Sequence, residues 1–170
     1  NFVFDMISPA TYDGAAALVR KRSVENLCAE VDLVVGRYGV TRLFFQDDFF
    51  TAPLPWIDEF ARIFPRRFRL TYSCSTRPES VTPELCDNLK RSGCTNICIG
   101  IESGSETLRR TVLNRQVSDE TIERAFACCR KAGLASYSYN MVGLPYETAA
   151  DIDRTVALNR KVRPAFLQVS

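Results

Sequence analysis

Three times in this chain a helical pattern closes on a glycine and an apolar, β-rich run follows at once. Arg37-Tyr38-Gly39 precedes the run 40–46, Arg91-Ser92-Gly93 the run 94–102, and Lys131-Ala132-Gly133 the run 134–142. Glycine just past a helix takes the left-handed conformation at little cost and satisfies the last carbonyls. A basic residue in the last turn complements the helix dipole. Strands separated by helices are joined by right-handed crossovers and build a parallel sheet.

The helices between these junctions are readable by period. Over 23–38, Val24, Leu27, Cys28, Val31, Val34, Val35 and Tyr38 fall on one face, with Ser23 as N-cap. Over 118–132, Ile122, Ala125, Phe126 and Cys129 repeat at helical spacing behind Ser118. Thr82-Pro83 is a cap followed by proline at the first helical position. Thr148 and Asp151 are spaced as a capping box, with Asp for the usual Glu or Gln. Strands are expected over 42–46, 69–75, 96–102, 136–142 and 165–169, with 2–6 as a sixth. A complete eight-fold barrel needs ~250 residues. The expected fold is therefore α/β: parallel βα units forming a partial, six-unit TIM-like barrel, one domain over residues 1–170. The chain opens on Asn1 and stops inside a strand, so both ends read as cut from a longer protein.

Composition removes several function classes. There is no histidine, so no histidine-based triad or histidine-ligated zinc site is possible. Seven cysteines at irregular spacing argue against a secreted disulfide framework and for a reducing, cytoplasmic setting. The net charge of +2 marks no nucleic-acid surface. The densest basic patch, Arg66, Arg67 and Arg69, reads as a solvated helix-to-strand turn. No stretch approaches the ~18 apolar residues of a membrane span.

Ligands of parallel α/β folds bind at the C-terminal ends of the strands. Here those ends run into Gln46-Asp47-Asp48-Phe49, Ser75-Thr76-Arg77, Glu102-Ser103-Gly104 and Tyr139-Asn140 followed by Gly143-Leu144-Pro145. Each has a plainer explanation: turn caps for the aspartates, a first solvated residue for Glu102, a tight turn for Gly143. Their conjunction favours a binding site, with Asp47, Ser75, Glu102 and Tyr139 around one cavity. Cys94 and Cys98 do not make a metal site on this reading. Four residues apart in a strand, they share a face but lie ~13 Å from each other. All seven cysteines are expected to be structural thiols.

The segment Gly39-Val40-Thr41-Arg42-Leu43-Phe44-Phe45-Gln46-Asp47-Asp48-Phe49 resembles the second-strand motif of radical S-adenosylmethionine (SAM) enzymes, in particular the cobalamin-associated branch. Gly93-Cys94-Thr95-Asn96-Ile97-Cys98-Ile99-Gly100-Ile101-Glu102-Ser103-Gly104 resembles their fourth strand, and Asn114-Arg115 and Gly143-Leu144-Pro145-Tyr146-Glu147-Thr148 follow in the family's order. The resemblance implies SAM at the open end of a partial barrel. Asp47, Asp48 and Phe49 would meet its amino group, Ser75 and nearby Arg77 would lie beside it, and Glu102 would make a polar contact. Arg115 would meet its carboxylate, Tyr139 and Asn140 its ribose, and the backbone of Gly143, Leu144 and Pro145 its adenine.

The family holds a four-iron (4Fe-4S) cluster on three cysteines after the first strand, because thiolates are soft anionic ligands for iron. In this chain Phe2 and Asp5 align with cysteine positions of that motif, and no cysteine precedes Cys28. Two functions therefore stand beside each other. One is the core of a radical SAM enzyme, whose intact form cleaves SAM reductively for radical chemistry or methyl transfer, with cobalamin supplied by another domain. The other is a cluster-less α/β module that binds SAM or a nucleotide. Both take a small-molecule ligand. Neither needs a membrane.

Overall fold

The computed structural model describes residues 21–47 and 49–170. The expected strand over 2–6 lies outside the described residues. Helix α1 (Val24–Tyr38) leads into β1 (Arg42–Phe45), α2 (Leu54–Arg67), β2 (Thr71–Thr76), a 3-10 turn (Pro78–Ser80) and α3 (Pro83–Arg91). Then come β3 (Cys94–Glu102), α4 (Glu106–Thr111), α5 (Asp119–Lys131), β4 (Ala135–Asn140), α6 (Ala149–Val162) and β5 (Phe166–Val169). The five strands pair in parallel in chain order, β1 to β5, as an open sheet. This is the expected α/β partial barrel.

The end signals read from the sequence act as anticipated. Ser23, Thr82, Ser118 and Thr148 each accept a backbone N–H of the first turn behind them. Thr148 and Asp151 form the reciprocal box. Gly39, Gly93 and Gly133 all stand at positive φ, where a side chain would strain the backbone. At Gly93 a Cβ would also sit 2.7 Å from the carbonyl oxygen of Leu70, so the turn into β3 closes against the start of β2.

Successive helices pack side by side, α1 on α2, α2 on α3, α3 on α5 and α5 on α6. The core lies between this helical layer and the sheet. Tyr72, Cys74, Ile97, Ile99 and Ile101 point into it from the strands, and Ile57, Phe60, Leu85, Ile122, Phe126 and Leu158 from the helices. Alternate residues of the same strands, Phe44, Ser75, Asn96, Cys98, Tyr137 and Tyr139, line the other face. Strand periodicity thus separates a core face from a concave face. At the α1–α2 end, Phe45, Phe50, Phe60, Phe64 and Tyr72 form a continuous aromatic cluster at centroid separations such as 4.5 Å for Phe45–Phe50.

Three local expectations are corrected. Tyr38 is 66% exposed rather than on the buried face of α1, and Arg37 lies over its ring. Helix α1 ends there, so its last turn passes the edge of the core. Cys94 and Cys98 do not share a face: Cys94 belongs to the core cluster, whereas Cys98 lines the concave side. The cause is a bulge. Tyr72 pairs with Cys94 but Ser73 with Asn96, so Thr95 is an extra residue that reverses the alternation. The basic patch is tied down in part, because Arg67 at the end of α2 bonds Glu25 and Asp32 of α1.

Candidate functional site

A cavity of about 340 Å³ opens at the C-terminal ends of β2, β3 and β4. That is within the ~300–1,000 Å³ of small-molecule sites. Its walls are Ser75, Arg77, Glu102, Arg115 and Tyr139, together with Thr76, Cys98, Gly100, Leu113 and Asn114.

Glu102 is the last residue of β3 and stands at φ +65°. A left-handed conformation is costly for any residue with a side chain. It follows a second register shift: Gly100 pairs with Tyr139 but Glu102 with Asn140, leaving Ile101 extra. The two irregularities turn the carboxylate back over the sheet, where its Oε1 accepts a 2.8 Å bond from Nη1 of Arg115. The pair lies above Gly100. A Cβ on Gly100 would come within 2.2 Å of Glu102 Oε1 and 3.2 Å of Arg115 Nη1, so a larger residue there would push these two side-chain ends out of their present places. The Glu102 carbonyl accepts the N–H of Met141 at 2.7 Å and ties the tips of β3 and β4 together. Burial raises the Glu102 carboxyl above its ordinary range, and the Arg115 charge and hydrogen bond pull it partly back.

Tyr139 and Cys98 stand side by side on the concave wall. Burial, and then the neighbouring Cys98 thiol, push the Tyr139 hydroxyl to about 12, so it stays a neutral donor and acceptor. On the β2 side, Ser75 holds the preceding loop through its carbonyl, which accepts the N–H of Phe50 at 3.2 Å. Arg77 lies over the ring of Phe49, 5.5 Å from its centroid, at the rim.

The structure therefore brings together Ser75, Arg77, Glu102, Arg115 and Tyr139, with Phe49 beside Arg77. It does not bring in Asp47, which lines a separate hollow with Arg22, Glu30 and Gln46 between α1 and β1. The Asn140 side chain is also elsewhere. It is buried on the helix side, donating to the Ser138 hydroxyl and the Gln168 carbonyl and accepting from Asn159 at 2.7 Å. Gly143, Leu144 and Pro145 form the turn beyond β4 outside the cavity lining, where Glu147 accepts the N–H groups of Gly143 and Leu144. Asp48, Phe2 and Asp5 lie outside the described residues. Cys98 and Gly100 were missed as site residues, although counting back by two from Glu102 along the strand reaches both. Asn114, also in the lining, stands at φ +50°, a left-handed conformation that asparagine adopts more readily than most residues.

The donor set suits an α-amino acid head, with a carboxylate for an ammonium and a guanidinium for a carboxylate. It does not suit an iron–sulfur cluster. Among the described residues no group of three or more Cys, Asp or Glu could hold a metal ion. All seven cysteines are free, and every one except Cys128 is buried.

The family model described as Radical SAM superfamily matches residues 10–158. The chain is 26% identical over 144 residues to an uncharacterized methyltransferase, PH0819, of Pyrococcus horikoshii, a match covering 84% of this chain and 31% of that protein. It is 24% identical over 129 residues to cytidylyl-2-hydroxyethylphosphonate methyltransferase of Streptomyces wedmorensis, covering 75% of this chain and 24% of that one. The chain thus spans about a third or less of the curated relatives it matches. In fold it is similar to the radical SAM methyltransferase TsrM of Kitasatospora setae, solved with tryptophan and a SAM analogue, at a TM-score of 0.76 and 18% identity over 88% of this chain and 30% of that one. Another structure of TsrM holds cobalamin and a [4Fe-4S] cluster.

Proposed function

The chain belongs to the radical SAM superfamily, and from that membership we propose that the cavity at the ends of β2, β3 and β4 binds SAM as part of a methyltransferase. The observation that carries the reading is the Glu102–Arg115 pair at 2.8 Å, held in a cleft that Gly100 keeps clear. A SAM amino-acid head is zwitterionic. Its ammonium takes Glu102 and its carboxylate takes Arg115, each exchanging one charged partner for another. Tyr139 and Ser75 are the hydroxyls left for the ribose, since Asn140 is engaged elsewhere. The exposed turn at Gly143 and Pro145, next to the cavity in sequence but outside its lining, is the proposed adenine contact. Phe49 and Arg77 form the rim, and Asp47 belongs to the proposal only through its neighbours in the β1 loop.

SAM, when bound, supplies an activated sulfonium methyl and a cleavable carbon–sulfur bond. The part of the reaction proposed for these residues is to bind and orient it. The two curated relatives favour methyl transfer for the whole protein, and the fold likeness to TsrM favours the cobalamin-associated branch. The free cysteines favour the cytoplasm as the setting. The described residues offer no thiolate set for a cluster, and this favours a second reading, a module that binds SAM without radical chemistry. Titration calorimetry with SAM on iron-free protein separates the two. Micromolar binding without iron supports the second reading; binding that requires a cluster reconstituted anaerobically in the full-length protein supports the first. An absence of binding in both forms overturns the site.

A further inference from the structure

Arg109 lies outside the cavity lining and is 1% exposed, the largest fully buried side chain among the described residues. A buried guanidinium needs a full set of partners. Arg109 finds all of them within one segment, 103–119, which carries the chain from β3 to α5. Nη1 donates to the Ser103 carbonyl at 2.5 Å, Nε to the Val117 carbonyl at 3.0 Å, and Nη2 to Asp119 at 2.5 Å, with Glu106 3.6 Å away. The first acceptor immediately follows Glu102, and the other two lie at the far end of the segment. Between them stands Arg115, whose N–H donates to the Arg109 carbonyl at 2.8 Å. Helix α4 has only six residues and ends in an irregular turn at Val112 and Leu113, so it fixes little by itself.

We propose that Arg109 is a positioning residue: its planar fork closes the 103–119 segment into one shape and thereby sets Arg115 against Glu102 in the cavity. Two of its acceptors anchor the far end of the segment to the core, since Val117 belongs to the core cluster and Asp119 opens α5, and the third is the carbonyl next to Glu102. The fork thus joins the tip of β3 to the start of α5 across the stretch that delivers Arg115. Lysine at this position keeps the charge, but its single ammonium cannot span three acceptors arranged as a fork.

The inference rests on the SAM reading of the cavity, and the test separates the two. SAM and 5′-methylthioadenosine, which has the nucleoside and sulfur but no amino-acid head, are titrated into the intact wild-type protein and Arg109→Lys. Arg109→Lys is expected to bind SAM at least tenfold more weakly and 5′-methylthioadenosine within twofold of wild type. Unchanged SAM affinity, or equal loss of both ligands, overturns the positioning role. If Arg109→Lys is unfolded by circular dichroism, Asp119→Asn decides. It removes a half-exposed partner, and a smaller loss confined to SAM is expected, with any other pattern counting against the proposal. A wild-type protein that binds neither ligand removes the SAM reading and the inference with it.

Discussion

Glu102 concentrates unusual physics in one residue: a left-handed backbone, a part-buried carboxylate and a single cationic partner. The backbone alone costs ~1–3 kcal/mol, and that cost is tolerated where the neighbouring structure dictates the conformation. Its carboxyl titrates above the ordinary range because burial opposes the charged form more than Arg115 favours it. A raised carboxyl has a definite sign. Its contribution to stability is fully present below the unfolded-state value and is lost as pH rises through the folded-state value. Charging Glu102 therefore costs stability, and the charge serves the cavity instead. On the proposed reading, SAM affinity falls as pH is lowered from neutral toward the raised Glu102 value, before ordinary carboxylates titrate. Glu102→Gln is expected to weaken SAM binding at neutral pH roughly tenfold or more, the worth of one charged hydrogen bond. It is also expected to flatten the acid limb of the profile. Calorimetry across that range checks both, and an acid limb with the same slope in the variant would assign it to another group.

At the scale of elements, helix α6 matters more to the site than its distance suggests. Gly104 follows Glu102 by two residues and donates its N–H to the Thr155 hydroxyl at 2.8 Å. A Cβ on Gly104 would meet the main chain of Arg154 and Thr155 at 2.3 Å, backbone that has no side-chain freedom to yield. Gly104→Ala is expected to cost ~1–3 kcal/mol, the usual range for overpacking, lowering Tm by ~2–4 °C per kcal/mol for a chain of this size. A thermal scan that matches wild type would show that α6 can slide. This contact also marks where sequence reading stops. The glycines after α1, α3 and α5 were legible because a helix end is a local event with a local signature. Gly104 looks like any turn glycine, because its partner is more than fifty residues away. The bulge at Thr95 was hidden for the same reason: it exists only in the register between β2 and β3. Asp47 was expected beside Glu102 because strand ends converge in a barrel, yet β1 is the edge strand of the described sheet, and its tip faces the hollow beside α1.

Over the described residues, the helical layer lies along one face of a parallel sheet, so outside the bulges the alternation of residues along a strand divides stability from chemistry. Ile99 and Tyr139 show the division. Ile99 is fully buried between the sheet and the helical layer, while Tyr139, on the adjacent strand, lines the cavity. Truncating Ile99 to Ala leaves a void among Ile97, Ile101 and the helices, which is expected to cost ~2–5 kcal/mol. Against a typical total of ~5–15 kcal/mol, that is a large share of the fold. Tyr139→Phe removes only a hydroxyl on the concave side, beside Cys98, and leaves the ring packed. Its midpoint in urea is expected to stay near wild type, and its SAM affinity to fall. Ile99→Ala should show the opposite pattern under conditions where it remains folded, with a lower midpoint and near-normal affinity. Denaturation curves and titrations on the two variants form a crossed design. If Tyr139→Phe loses as much stability as Ile99→Ala, the concave face is part of the core, and the parity argument that places the cavity there fails.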